Sequence, residues 1–209
     1  MSKFELTKGF IAQEIPRNIA DKIMGKSFKP DSRIKLADLS YLTVTYKDFN
    51  GQTQTGEMIC KKTLAKELLE IFYELFEYGY QIEKIRLVDE YDADDDRSMA
   101  DNNSSCFNYR VIADTNVISL HGQGRAVDIN PLYNPYIVGE KVMPLNGAAY
   151  ADRTADFPHK IDENDICLKI FKAHGWLWGG DWDNTKDYQH FYKPSEKIKG
   201  LIRKIRGVH

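Results

Sequence analysis

The chain has 209 residues, enough for one domain that buries about 70% of the surface its unfolded form would expose. Its 29 Lys and Arg against 31 Asp and Glu leave a net charge of −2, which gives no electrostatic footprint for nucleic acid or an anionic membrane. No stretch approaches the roughly 20 apolar residues of a bilayer span, and Cys60, Cys106 and Cys167 lack the Cys-x-x-Cys spacing of a thiolate metal site or the even count of a disulfide framework.

Residues 1–40 alternate short apolar and polar pieces around Pro16 and Pro30. They are expected to wrap the remainder, with one helix near Ile19 to Met24. The start lacks the basic-then-apolar layout of a signal peptide, so a leader was either never present or has been removed. From Tyr41 the pattern turns β-rich: Leu42 to Tyr46, an Asn50-Gly51 turn, and a return from Gly56 to Lys61 predict a hairpin. Leu64, Leu68, Ile71, Phe72, Leu75 and Phe76 then recur at helical spacing, with Gly79 as terminator.

Ile82 to Val88 is expected as a strand, and the acidic run from Asp89 to Asp96 as a solvated loop, with a place on a cleft rim left open. That run lacks the turn glycine and closing glutamate of a calcium loop. A second helix is predicted from about Asp162, its N-cap, to His174, with Gly175 just past its end, and a third from near Ser195. Strands in the middle with helices beside them predict an α+β fold, a small antiparallel sheet flanked by helices.

The chemistry concentrates in two pieces. The first runs Ser119-Leu120-His121-Gly122-Gln123-Gly124-Arg125-Ala126-Val127-Asp128, and the second Asp187-Tyr188-Gln189-His190-Phe191. Alternation from Arg125 to Ile129 points Val127 and Ile129 into the core and Asp128 the other way. A lone histidine or strand aspartate is ordinarily just hydrogen-bonded or solvated. Two imidazoles and a carboxylate together make three ligands that zinc accepts, and three rather than four leave a position for water. Gly122-x-Gly124 lacks the third glycine and the Gly-Lys-Ser/Thr of a phosphate loop. Asp187 is expected in the turn entering a strand that carries His190, because Tyr188, Phe191 and Tyr192 favour extended backbone.

The Ser-x-His-x(6)-Asp stretch, followed by an acidic residue three before a His-Phe pair, resembles the zinc peptidases that trim bacterial cell-wall peptides. These are D-alanyl-D-alanine carboxypeptidases, D,D-dipeptidases and L-alanyl-D-glutamate endopeptidases. Phe107-Asn108-Tyr109-Arg110, Ala126 to Pro131 and Gly175 to Trp182 look like family landmarks in family order, so the resemblance covers roughly residues 41–194. It implies a hedgehog/DD-peptidase-like fold, with 1–40 as an N-terminal segment on a peptidase domain of 41–209 within one globular unit.

It also implies zinc as cofactor, held by His121, Asp128 and His190, with Asp187 as general base toward water activated at the metal. Many relatives carry glutamate where this chain has Asp187. Arg110 stands where the family has an arginine that contacts substrate or transition state, and becomes the candidate oxyanion donor. Ser119 is expected to bind substrate or orient the metal loop, and Trp178, in the cluster with Trp176 and Trp182, to wall the cleft. His159 and His174 are read as structural.

The implied partner is a peptidoglycan stem peptide or its fragments, and D-Ala-D-Ala carboxypeptidase action is favoured over cleavage of L-Ala-D-Glu. The carboxylate-binding cation could be Arg110, Arg125 or Arg153. A non-catalytic zinc-binding module of the hedgehog kind is the rival. The cell envelope or the exterior is the expected location if a leader was removed, and the cytoplasm if Met1 is the native start.

Overall fold

In the computed structural model, which describes residues 3–112 and 115–195, the long hairpin organises the chain. Four strands, β1 (Phe4–Thr7), β2 (Phe10–Gln13), β3 (Leu39–Lys47) and β4 (Thr53–Lys61), pair in sequence order as one antiparallel sheet. Leu42, Val44 and Tyr46 of β3 and Met58 and Cys60 of β4 share one buried face. Leu39, Tyr41 and Ile59 take the other. Both faces are covered, which is why β3 is apolar along much of its length rather than strictly alternating.

The first face is covered by α2 (Ala65–Glu77), through Leu68, Leu69, Phe72 and Leu75. Its end closes as the expected glycine motif: Tyr80 N–H bonds Leu75 O, Gly79 N–H bonds Phe76 O, and Gly79 has φ +71°. The second face is covered by α1 (Arg17–Ile23), through Ile19 and Ile23, with Phe28, Phe107 and Tyr109. The first forty residues thus do more than wrap. They add two strands to one edge of the sheet and a helix to its far face.

Two expectations between residues 82 and 100 are corrected. Ile82, Ile85, Leu87 and Val88 are buried, yet only β5 (Lys84–Ile85) is a strand, in a two-residue parallel pairing with β6 (Asn103–Ser104). Burial without a partner strand leaves the rest irregular, and a short apolar run does not distinguish the two states. The acidic run is not a solvated loop. It forms a 3-10 turn over Val88–Tyr91 and then α3 (Asp95–Ala100). Asp89 is buried and accepts from both the amide and hydroxyl of Ser27, and Asp94 caps α3 through Arg97 N–H.

The second half is built from short pieces. β7 (Ala126–Asp128), β10 (Leu177–Trp178) and β12 (His190–Tyr192) form an antiparallel sheet in the order β10-β12-β7. β8 (Tyr136–Val138), β9 (Lys141–Met143) and β11 (Lys186–Asp187) form another in the order β11-β8-β9. Behind the first packs α4 (Ile166–Ala173), whose Phe171 stacks on Phe191 with ring centroids 4.2 Å apart. The N-cap of α4 is Asp165, three residues beyond the expected Asp162. Asp165 accepts from Cys167 N–H at 2.8 Å, whereas Asp162 accepts from Asn164 N–H in the turn before. The helix expected from Ser195 onward falls on 196–209, outside the described residues. Mixed helices and small antiparallel sheets make the fold α+β. Among the described residues no helix is long and apolar enough to cross a membrane.

Candidate metal centre and active site

Register brings the first two candidate ligands together. β7 and β12 run antiparallel with Asp128 directly opposite His190, Val127 opposite Phe191 and Ala126 opposite Tyr192. Directly opposed residues place their Cβ atoms about 5 Å apart on one face. Asp128 and His190 therefore point the same way, while Val127 and Phe191 enter the core on the other side. The sequence alternation predicted this facing for Asp128, and the strand pairing supplies its partner.

His121 arrives from a 3-10 turn, His121–Gln123, that precedes β7. Gly124 follows with φ +64°, and a Cβ there would sit 2.5 Å from Lys61 N, so the loop docks flush on the end of β4. The Lys61 amide donates to Gly124 O at 2.8 Å across this contact. Ser119 Oγ accepts from Gly122 N–H at 2.9 Å, a bond within the loop that carries His121.

The three candidate ligand side chains converge. His121 Nε2 lies 3.1 Å from His190 Nδ1 and 3.2 Å from Asp128 Oδ2, and His190 Nδ1 lies 2.9 Å from Asp128 Oδ1. One donor atom from each residue falls within 4.8 Å of the others. His121 Nδ1 is 2.6 Å from Cys106 O. A carbonyl there requires the proton on Nδ1, so in the neutral ring Nε2 presents a lone pair to the cluster. A nitrogen lone pair and a carboxylate thus meet at a second imidazole in a nearly dry pocket, a donor set that suits a zinc ion.

Electrostatics separate the two carboxylates. Burial works to raise the Asp128 carboxyl, but the imidazoles of His121 and His190 overcome it and hold the group well below the usual carboxylate range. Asp187, on β11 opposite Tyr136, has Oδ2 4.0 Å from His190 Nδ1. Burial foremost pushes its carboxyl up to about 7; the charge of Asp128 adds to this, against opposing contributions from His190, Gln189 and Arg110. Its other oxygen, Oδ1, is buried with no hydrogen-bond partner among the described residues. Asp187 ends a two-residue strand rather than lying in a turn, and Gly179 makes that packing possible. A Cβ at Gly179 would lie 2.6 Å from Asp187 O, 2.7 Å from Asp187 Cβ and 3.3 Å from His190 Cβ.

Of the three arginines, only Arg110 stands at the cluster. It is ion-paired to Asp95 at 2.5 Å, and its charge is one of those felt by Asp187. Arg125 donates to Lys193 O and Pro194 O. Arg153 donates to Tyr133 O, Asn134 Oδ1 and Ile161 O and lies over the Tyr188 ring. Both fasten loops. The expectation for Trp178 is corrected as well: it is 4% exposed, part of the core, with Nε1 bonded to Tyr188 O. The tryptophan at the site is Trp182, whose ring centroid lies 5.6 Å from that of His190. His174 pairs with Glu74 and His159 stacks on Phe49, as befits structural residues.

Sequence reasoning missed Cys106 and Gly179. Cys106 acts through its backbone carbonyl, which no side-chain pattern reveals. Gly179 lies within a family landmark, and a glycine beside tryptophans was the only available signal.

No curated protein and no solved structure matches the chain. Residues 113–193 do match a family, the one described as D-alanyl-D-alanine carboxypeptidase. The matched stretch contains His121, Asp128, Asp187 and His190, so the resemblance read from the sequence is upheld over residues 113–193, which are similar to the D-alanyl-D-alanine carboxypeptidase family.

Proposed function

We propose that the protein is a zinc-dependent peptidase acting on D-amino-acid-containing stem peptides of peptidoglycan, with removal of a terminal D-Ala as its reaction. The observation that carries this reading is the convergence of His121, Asp128 and His190 with the Asp187 carboxylate beside them. A structural site needs only the ligands. A carboxylate that is buried, short of a hydrogen-bond partner and 4.0 Å from a ligand atom costs stability and is explained by proton transfer.

His121, Asp128 and His190 would hold the zinc, which when bound supplies Lewis acidity toward a substrate carbonyl and lowers the pKa of water. Asp187 accepts the proton of the attacking water and returns one to the leaving amine. Arg110, fixed by Asp95, stabilises negative charge on the carbonyl oxygen. Cys106 O keeps the His121 ring in its ligating tautomer, and Ser119 holds the loop that presents it.

The test is mass spectrometry of a stem pentapeptide incubated with zinc-supplemented protein, beside an Asp187→Ala control. Loss of one terminal D-Ala, absent in the control, is the expected result. Cleavage after L-Ala would retain the mechanism and change the bond to that of an endopeptidase. An uncut peptide beside stoichiometric zinc would overturn the enzyme in favour of a zinc-binding module.

A further inference from the structure

Beside the loop that carries His121 lies a concavity of about 690 Å³ lined by Lys29, Asp31, Arg33, Tyr109, Arg110, Val111 and Asn116, of which only Asn116 falls in the stretch that matches the family. Three cations face one carboxylate there. The segment that brings Lys29 and Arg33 is fastened, not draped. Tyr109 N–H donates to Ser27 O at 2.8 Å, and Ser27 is held in turn by the buried Asp89. Arg33 is anchored twice, its amide to the Tyr109 hydroxyl at 3.1 Å and its Nη2 to Asn116 O at 2.6 Å. On the other wall, Arg110 O accepts from Ser119 N–H at 3.0 Å, which joins the concavity directly to the loop carrying His121.

The charges are not consumed internally. Asp95 engages Arg110, but Lys29 makes no ion pair among the described residues, and the Arg33 guanidinium is bonded to a neutral carbonyl. Against Asp31 this leaves a surplus of about one positive charge, which suits one planar monoanion better than a polyphosphate. Val111, 48% exposed, adds an apolar patch for the carbon chain that bears such a group.

We infer that this concavity binds a carboxylate of the peptide substrate, with Lys29 and Arg33 as specificity residues beyond Arg110. The inference rests on the peptidase reading. It assigns to the N-terminal segment a part in substrate choice that the matched stretch does not contain.

The experiment uses a set of stem pentapeptides in which each carboxylate is converted to the carboxamide in turn. Steady-state kinetics compare the zinc-supplemented protein with Lys29→Met and with Lys29→Met/Arg33→Gln. Calorimetry measures binding of the same peptides to Asp187→Ala, whose readout does not need turnover. Amidation of one particular carboxylate is expected to raise KM about tenfold with kcat little changed. Lys29→Met should shrink that penalty about threefold, and the double variant should abolish it. The inference is overturned if no amidation matters, or if Lys29→Met weakens acid and amide peptides equally. If the unmodified protein cuts no peptide, the peptidase reading fails by itself. Calorimetric preference for the acid over the amide then still decides the carboxylate site.

Discussion

The two halves of this molecule are built on different scales. The N-terminal half carries nine-residue strands, β3 and β4, and the thirteen-residue helix α2, and it supplies most of the large buried side chains. The second half carries Asp128 and His190 on strands of three residues, His121 on a 3-10 turn and Asp187 on a strand of two. Strands that short are not stable alone. They are kept in register by what lies behind them: Phe191 stacked on Phe171, Val127 in the main core, and the Gly124 loop seated on β4. The comparison teaches that the chemistry is borne by elements with little stability of their own, positioned by a scaffold that contributes little chemistry.

That division predicts opposite responses. Replacing His121, Asp128 or His190 by alanine should abolish both zinc retention and turnover, as read by metal analysis and peptide cleavage. Asp187→Ala should lower kcat by about 10² to 10⁴ while leaving about one zinc per chain. Its stability should be unchanged or raised, because a buried, under-bonded carboxylate is removed. Turnover near the unmodified rate in any of these four variants would break the assignment of the site.

Phe72→Ala in the scaffold should do the reverse. Its ring is 1% exposed in the main core, and its removal should cost about 3–5 kcal/mol in denaturant unfolding. The protein that remains folded should bind zinc and turn over as before. A loss of zinc at full folding would show that the two halves are not separable in this way. Between these extremes stands Gly179→Ala. The added methyl meets the Asp187 carbonyl oxygen and Cβ and the His190 Cβ, so it should cost about 1–3 kcal/mol and lower kcat tenfold or more, roughly what a small misplacement of a base costs.

What the sequence made legible follows from how local each signal is. The hairpin, α2 and its glycine stop were legible because alternation, helical spacing and Gly79 are all local signals. The three residues that converge were legible too, since their types and spacing resemble a known family, and strand alternation gave the facing of Asp128. The pairing of Asp128 with His190 was not, because it is a register between strands 62 residues apart. The role of Cys106 O was invisible for another reason, as every residue has a carbonyl. Trp178 was misplaced because a tryptophan among glycines suits a cleft wall and a core equally. The acidic run was misjudged because its carboxylates are consumed one at a time by distant partners: Ser27 for Asp89, Lys26 for Asp92, Arg110 for Asp95.

The smallest expected effect concerns the N-cap of α4, which lies behind the sheet that carries His190. Burial foremost pushes the Asp165 carboxyl up to about 6 from 3.8, against the opposing pull of hydrogen bonds from the Cys167 and Leu168 amides. A carboxyl raised on folding binds its proton more tightly in the native state. Its favourable contribution is therefore full below about pH 4 and is lost as pH rises through about 6. An asparagine in place of Asp165 would keep an acceptor for the Cys167 amide without a charge to bury. Asp165→Asn should accordingly match the unmodified protein near pH 4 and exceed it near pH 7 by on the order of 1–2 kcal/mol. Kinetics should not change, since α4 reaches the site only through packed side chains. An equal difference at both pH values would mean that the cap acts through its hydrogen bond alone. A fall in kcat would mean that α4 does more than support β12, and the separation between scaffold and chemistry would have to be redrawn there.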